Sequence, residues 1–300
     1  IWINDGQGRF HPIHGNAIRQ TSLFSMGVDV ADIDRDGVAD IFVADMLSLD
    51  HRLRQVQVMD ANAYAQIRQS AGRRPQSSRN TLFVGRGDGT YAEMAQMAGI
   101  DASDWSWCPV FLDVDLDGFE DLLITTGHWR DAQHADVARE LDTEAQTRRL
   151  SPREQLRSRR RFPRLDTPNV AFRNRGDRTF SEVGAAWGFD SRRISQGFAL
   201  ADLDHDGDLD AVINCLNDAP LILRNNAAAP RIAVRLRGTA PNTQGIGALV
   251  RVLAAELPEQ SQEMILGGRY LSSDDSVRSF AAGHATNRLV IQVRWRDGSR

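Results

Sequence analysis

The chain has no lysine: all 36 of its basic residues are arginine. That points to a biased source genome rather than to a chemical need. Cysteine is almost absent too, with only Cys108 and Cys215 in 300 residues. Two cysteines cannot make a disulfide framework. Each lies in an apolar run, so both are read as buried thiols. No run approaches the roughly eighteen apolar residues of a membrane span. The usual signatures of catalysis are missing as well: there is no G-x-S-x-G, no H-E-x-x-H and no Cys/His metal spacing. Histidine is sparse and scattered, at His11, His14, His51, His128, His134, His205 and His284. His128 is read as a loop or packing residue and His205 as a solvent-facing spacer. These absences argue against an enzyme. The apolar share of 41% and charged share of 25% are those of a globular protein. The chain opens on Ile1-Trp2-Ile3 and ends on Trp295-Arg296-Asp297-Gly298-Ser299-Arg300, which is read as an internal piece of a longer protein.

Aspartate, by contrast, is abundant and ordered. Asp202-Leu203-Asp204-His205-Asp206-Gly207-Asp208-Leu209-Asp210 places carboxylates at positions 1, 3, 5 and 9 of a loop, with glycine at 6. Asp32, Asp34, Asp36, Gly37 and Asp40 repeat the pattern, as do Asp113, Asp115, Asp117, Gly118 and Asp121. Carboxylates this close repel one another unless a cation sits among them. Hard oxygen donors on a flexible turn suit Ca²⁺ better than Zn²⁺ or Mg²⁺. Three calcium sites are expected, at 32–40, 113–121 and 202–210. The net charge of −4 is therefore local to the loops, and three bound ions would turn it to a formal +2.

A second element precedes each loop: Ile3–Phe10, Val84–Tyr91 and Arg173–Phe180. Each is a Gly/Asp/Asn segment closed by an aromatic residue, a hairpin signal. From Phe10 to Asp32, Tyr91 to Asp113 and Phe180 to Asp202 the offset is 22 residues every time. A constant offset means one repeating supersecondary unit. In the third hairpin Arg178 stands where the others have Gly8 and Gly89. Apolar runs flank each loop: Val28–Ala31 and Ile41–Val43, Val110–Leu112 and Leu122–Ile124, Phe198–Ala201 and Ala211–Ile213. These are expected to be buried strands. Asn225-Asn226 is read as the start of a fourth hairpin.

Two inserts interrupt the repeats, at about 49–79 and 129–168. The first is expected to be helical over Asp60–Ile67. The second is expected to be helical over Val137–Arg149, with a new helix opening at the capping box Ser151-Pro152-Arg153-Glu154. Eight arginines between 148 and 164 make it basic. Such a patch suits contact with a nucleic acid or an acidic glycan, but a solvated helix face is the plainer reading, and no nucleic-acid partner is expected. From about residue 228 the texture changes to strand-like runs at Arg231–Leu236, Gly247–Leu253 and Leu289–Trp295, a separate small β domain.

These loops and hairpins resemble the FG-GAP/VCBS repeats of integrin-α-like β-propellers. Asp104-Trp105-Ser106-Trp107, Gly127-His128 and Ser195-Gln196-Gly197 resemble a bacterial branch in which an ASPIC/UnbV domain follows the propeller, as in the cartilage acidic protein family. The tail fits through Asn242, Gly245-Ile246-Gly247-Ala248, Gly267-Gly268-Arg269-Tyr270-Leu271-Ser272 and Phe280–Gly283. It departs at Ala281-Ala282 and at Arg296, where that family usually has Gly-Leu and Pro. The resemblance implies an all-β fold: a partial propeller with helical inserts over 1–227, then a β-sandwich-like domain over 228–300. Further blades would precede Ile1; a self-contained open stack of blades is the alternative. It implies calcium held by the side chains at positions 1, 3, 5 and 9 and by the carbonyl at 7, those of Val38, Phe119 and Asp208. The Asp208 carboxylate would then point outward. Trp105 and Trp107, alternating about Ser106, are the candidates for a ligand-facing patch, though core packing is the plainer use. The function expected is a non-catalytic, exported or surface-displayed module that binds or adheres to a protein or glycan. The alternatives are the scaffold of a polysaccharide-active enzyme and an accessory protein of a biosynthetic cluster.

Overall fold

The computed structural model describes residues 1–57 and 74–300; the helix expected over Asp60–Ile67 lies outside the described residues. The protein is mostly β. The hairpin β1 (Trp2–Asn4) and β2 (Phe10–Pro12) comes first, followed by the two-residue strand β3 (Thr21–Ser22). β4 (Gly27–Ala31) and β5 (Asp40–Ala44) then run antiparallel about the first Asp loop. After the short helix α1 (His51–Val56), β6 (Gln76–Ser77) pairs in parallel with β3. β7 (Thr81–Gly85) and β8 (Tyr91–Glu93) complete a four-stranded meander in the order β4-β5-β7-β8.

The same meander recurs. One turn of helix, α2 (Ala95–Ala98), leads to β9 (Ser106–Leu112) and β10 (Asp121–Thr126) around the second loop. The second insert follows as α3 (Ala135–Thr147), α4 (Pro152–Ser158) and a 3-10 turn over Arg159–Arg161. The Ser151 hydroxyl and Glu154 form the expected capping box. β11 (Val170–Asn174) and β12 (Phe180–Glu182) close the second sheet, and the short α5 (Gly184–Trp187) leads on. β13 (Ser195–Ala201), β14 (Asp210–Cys215) and β15 (Leu221–Leu223) make a third sheet of three strands. The fourth hairpin expected at Asn225-Asn226 does not form. Instead Arg231 turns the chain away, donating to the Ala227 and Asp206 carbonyls at 2.7 and 3.1 Å.

The three sheets stack in sequence, with β9 lying against both β4 and β13. Alternation along a strand sends successive side chains to opposite faces. Phe111 therefore joins Ile33, Phe42, Leu82, Leu122 and Phe172 in a core between the first two sheets. Its neighbours Val110 and Leu112 join Phe198, Leu200 and Ile213 between the second and third. That is why β9 and β10 read as unbroken apolar runs: both faces are covered. Phe42 and Phe198 are fully buried, each contributing about 1.5–3 kcal/mol by leaving water. Cys108 and Cys215 are buried free thiols in the second core.

The C-terminal part has its own core of Val234, Ala248, Val250, Val252, Met264 and Phe280. It lies between the pair β16 (Arg231–Arg235) and β19 (Val277–Ala281) and the sheet of β17 (Leu249–Leu253), β18 (Gln260–Glu263) and β20 (Val290–Arg294). β18 and β19 were not expected. The loop before β19 reaches back to the stacked sheets: Ser272 donates to the Phe198 carbonyl at 2.5 Å, and the Asp275 N–H to the Leu200 carbonyl at 2.8 Å.

Candidate metal centres

Each Asp loop connects the first two strands of its sheet, and its backbone follows one pattern in all three copies. Position 4 is left-handed although it is not glycine: φ is 62° at Arg35, 57° at Leu116 and 63° at His205. Position 6 is left-handed too, at Gly37, Gly118 and Gly207, where the missing Cβ removes the steric penalty. These two reversals curl the loop back over its first carboxylate. Asp32, Asp113 and Asp202 accept the position 6 N–H at 3.0, 2.9 and 3.2 Å. Asp36, Asp117 and Asp206 accept the position 7 N–H at 2.8, 3.1 and 3.2 Å. His205, at position 4 of the third copy, is exposed.

The curl brings carboxylates together. Asp32, Asp34 and Asp36 converge in the first loop, Asp113, Asp115 and Asp121 in the second, Asp202, Asp204 and Asp206 in the third. In each group one oxygen per residue lies within 4.8 Å of the others. The position 9 carboxylates have another task. Asp40 accepts the Ile33 and Gly85 N–H groups, Asp121 those of Val114 and Asn174, Asp210 those of Leu203 and Asn225, all between 2.8 and 3.0 Å. Position 9 thus ties the loop's second residue to the end of the third strand in every sheet. Of the three, only Asp121 also joins a convergent group, and Asp40, Asp117 and Asp210 stay outside them. Val38, Phe119 and Asp208 occupy position 7 as expected.

The donor set fits a hard divalent ion. Asp32 Oδ1, Asp34 Oδ1 and Asp115 Oδ1 are buried with no hydrogen-bond partner. A buried carboxylate oxygen without a donor is costly unless a cation satisfies it. Burial pushes Asp113 up to about 8 and Asp121 up to about 9, although backbone N–H groups oppose this. Burial likewise raises Asp40 to about 7. Burial without a compensating cation thus favours the protonated form of these groups, and a bound ion would favour the charged one.

Asp208 corrects an expectation. Its carboxylate does not point outward: it is buried, 3.2 Å from the Arg231 guanidinium, which also reaches Asp206 at 2.9 Å. The C-terminal part covers this loop, and Ser279 donates to the Gly207 carbonyl at 2.8 Å. Arginines on the other loops were also missed. Arg173 contacts Asp115 and Asp117 at 2.6 and 3.0 Å, and Arg224 contacts Asp204 at 2.6 Å. Arg178, left-handed at φ 70°, reaches Asp34 of the first loop at 2.5 Å. The signal was present in the recurring pairs Arg173-Asn174 and Arg224-Asn225. Each asparagine turns inward beside its exposed arginine: the Asn174 amide donates to the Ile33 carbonyl and the Asn225 amide to the Val114 carbonyl, at 2.9 and 3.0 Å.

The remaining candidates are packed. Trp105 lies one residue before β9 and stacks on His128 with centroids 4.0 Å apart; Trp107 lies 6.0 Å from the same ring and 5.2 Å from Tyr270. Both indoles are half-buried. The cavity between β4, β17 and β18, about 540 Å³, is lined by Asp32 of the first loop and by several charges already engaged: Arg269 with Asp29 and Asp274, Glu120 with Arg35, Arg278 with backbone carbonyls. Among the described residues no helix is long and apolar enough to cross a membrane.

Comparison with known families agrees with this anatomy. The FG-GAP-like repeat family matches residues 1–43 and 164–213, which hold the first hairpin with its loop and the third hairpin with its loop. The ASPIC and UnbV family matches residues 238–300. No curated protein gives a significant match.

Proposed function

The chain is one of FG-GAP-like repeats followed by a C-terminal ASPIC and UnbV domain, and from that premise we propose that it is a non-catalytic, calcium-stabilised binding module. On this reading the stacked sheets are blades of a β-propeller, displayed outside the cell, that recognises a protein or a glycan. Calcium is structural. It joins the first two strands of each blade and stiffens the rim from which inserts project. Extracellular calcium modules bind in the range of about 10⁻⁴–10⁻³ M, which favours an exported setting. The observation that carries the reading is the threefold convergence of aspartates, with buried, unpartnered oxygens among the convergent carboxylates of the first two loops.

Thermal melting with Ca²⁺ and with EDTA tests the reading. The wild type is expected to melt higher in Ca²⁺, and Asp204→Ala to lose much more stability in Ca²⁺ than in EDTA. Equal losses in both conditions would remove the ion from the third loop.

A further inference from the structure

The second insert carries a charge that the fold does not use. Between 148 and 164 stand eight arginines and one carboxylate, Glu154, in a chain whose net charge is −4. Among the described residues, carboxylates reach only two of the eight. Arg148 pairs with Glu144, and Arg161 with Glu140 and Glu144, at 2.5 to 3.0 Å. Arg149, Arg153, Arg157, Arg159, Arg160 and Arg164 are exposed and make no ion pair with a described residue. Nor does packing account for the element, since α4 and the 3-10 turn bury no residue. What holds it is local: the Ser151–Glu154 capping box, the Arg161 pairs to α3, and Arg130 donating to the Phe162 carbonyl at 2.9 Å.

Helical spacing sets Arg153 and Arg157 on one face, and Arg160 continues the row. Like charges four residues apart destabilise a helix, so the row is a cost in the absence of an anion. Beyond the 3-10 turn lies Arg164, which with Arg130 flanks Trp129, an exposed indole with the Arg130 and Arg164 guanidiniums 5.8 and 5.7 Å from its ring centre. The result is a ribbon of six exposed guanidiniums along residues 149–164, none with a carboxylate partner among the described residues.

We propose that this ribbon is the docking surface for an acidic polysaccharide. The inference deepens the binding role given above and rests on it for the extracellular setting. Guanidinium forks match carboxylate and sulfate geometry with two parallel hydrogen bonds. Neighbours in the row are about 5–6 Å apart at their Cβ atoms, close to the length of one pyranose ring, so successive acidic sugars meet successive arginines. A single-stranded nucleic acid fits less well. It draws on open aromatic platforms for its bases, and the one exposed indole here already has guanidiniums over its ring.

The test uses the full chain in saturating Ca²⁺ and fluorescence anisotropy with three probes: a polyuronate oligosaccharide, a sulfated oligosaccharide and a single-stranded oligodeoxynucleotide of equal charge. The triple variant Arg153→Gln/Arg157→Gln/Arg160→Gln is expected to weaken glycan binding about tenfold or more, with binding that also falls as salt rises. The control Arg9→Gln/Arg86→Gln/Arg237→Gln removes as much charge from other exposed positions and is expected to leave affinity within about twofold. The stronger of the two glycan probes identifies the acidic group. Equal losses in both triple variants, no glycan binding by the wild type, or tighter binding of the oligodeoxynucleotide would each overturn the proposal. The calcium reading is judged separately by melting in EDTA, so either can fail while the other stands.

Discussion

Arg269 is the single side chain whose loss should most loosen the contact between the repeats and the C-terminal domain. Its Nη1 lies 2.5 Å from Asp29 in β4, and its Nε 2.9 Å from Asp274. Both carboxylates also work on the stacked sheets: Asp29 accepts the Phe111 N–H at 2.7 Å, and Asp274 accepts the Leu200 N–H at 3.0 Å. One guanidinium therefore joins the inner strands of all three sheets to the C-terminal loop. The arginine side chain is 7% exposed and its partners 10% and 4%, so water screens none of the three. Arg269→Ala would leave two buried carboxylates with backbone donors alone, a situation that costs about 3–5 kcal/mol. Denaturant unfolding in Ca²⁺ measures it. The variant is expected to lose about that amount and to unfold in two steps, because the two parts lose their common clasp. The surface pair Arg139–Asp136, both partners mostly exposed, supplies the contrast, since Arg139→Ala should change stability by less than about 1 kcal/mol. A loss at Arg269 no larger than that at Arg139, with a single transition, would refute the reasoning. Replacing the triad together, as Arg269→Met/Asp29→Asn/Asp274→Asn, should recover much of the stability, because the penalty comes from unpaired charge rather than from a missing contact.

Two further outcomes concern the loops. Asp40, Asp113 and Asp121 are raised to about 7, 8 and 9 by burial, far above the usual carboxylate range, so in EDTA the folded state holds protons that the unfolded chain has released. Their contribution to stability is complete below about pH 4 and lost as pH rises through 7 to 9; melting in EDTA should fall between pH 5 and 8, whereas in Ca²⁺, which needs carboxylates, it should hold or rise. A flat profile in EDTA would contradict this. Arg224 sits 2.6 Å from Asp204 and is largely exposed, so it competes weakly with a cation. Arg224→Gln should tighten Ca²⁺ binding in calorimetry by about two- to fivefold, and weaker binding would show that the arginine helps to build the site.

Much of this was legible because the repeat writes its geometry into residue types. Glycine at position 6 and the 22-residue offset placed the loops, and the apolar runs placed β4, β5, β10 and β14 to within a residue or so. The capping box placed the start of α4. What stayed hidden depended on contacts between distant segments. β18 is the polar run Gln260–Glu263, held by pairing with β17 rather than by any apolar alternation of its own. Asp29 stands alone in an apolar run, a hint that it is paired, but its partner is 240 residues away. Asp208 looked like any exposed loop residue until the C-terminal domain was seen to cover it. The Asn225-Asn226 pair carried half of a hairpin signal. Asn225 keeps the tie to Asp210 and Val114 that Asn174 makes to Asp121 and Ile33, while the turn itself is replaced by the exit to β16.

The three loops share a sequence pattern but not a setting, and the difference is one of charge compensation. In the second and third copies an arginine just before the recurring asparagine covers positions 3 and 5: Arg173 over Asp115 and Asp117, Arg224 over Asp204 and Asp206. The first copy has Val84 at that place and cannot do this. Its cover comes from the neighbouring repeat, where Arg178 replaces a hairpin glycine and adopts the glycine's left-handed backbone to reach Asp34. A non-glycine residue at positive φ carries a backbone cost, and the ion pair offsets it. The third loop has a further arginine, Arg231, and a lid from the C-terminal domain through Ser279. An ion in that loop would therefore be felt on both sides of the boundary, by the β13–β14 corner and by the strand that opens the C-terminal fold. The first loop would transmit its ion along the stack, through Asn174 at the Ile33 carbonyl and through Arg35, which donates to the Gly118 carbonyl and pairs with Glu120. An ion at the third loop would thus be linked to the attachment of the C-terminal domain, and one at the first to the seam between sheets.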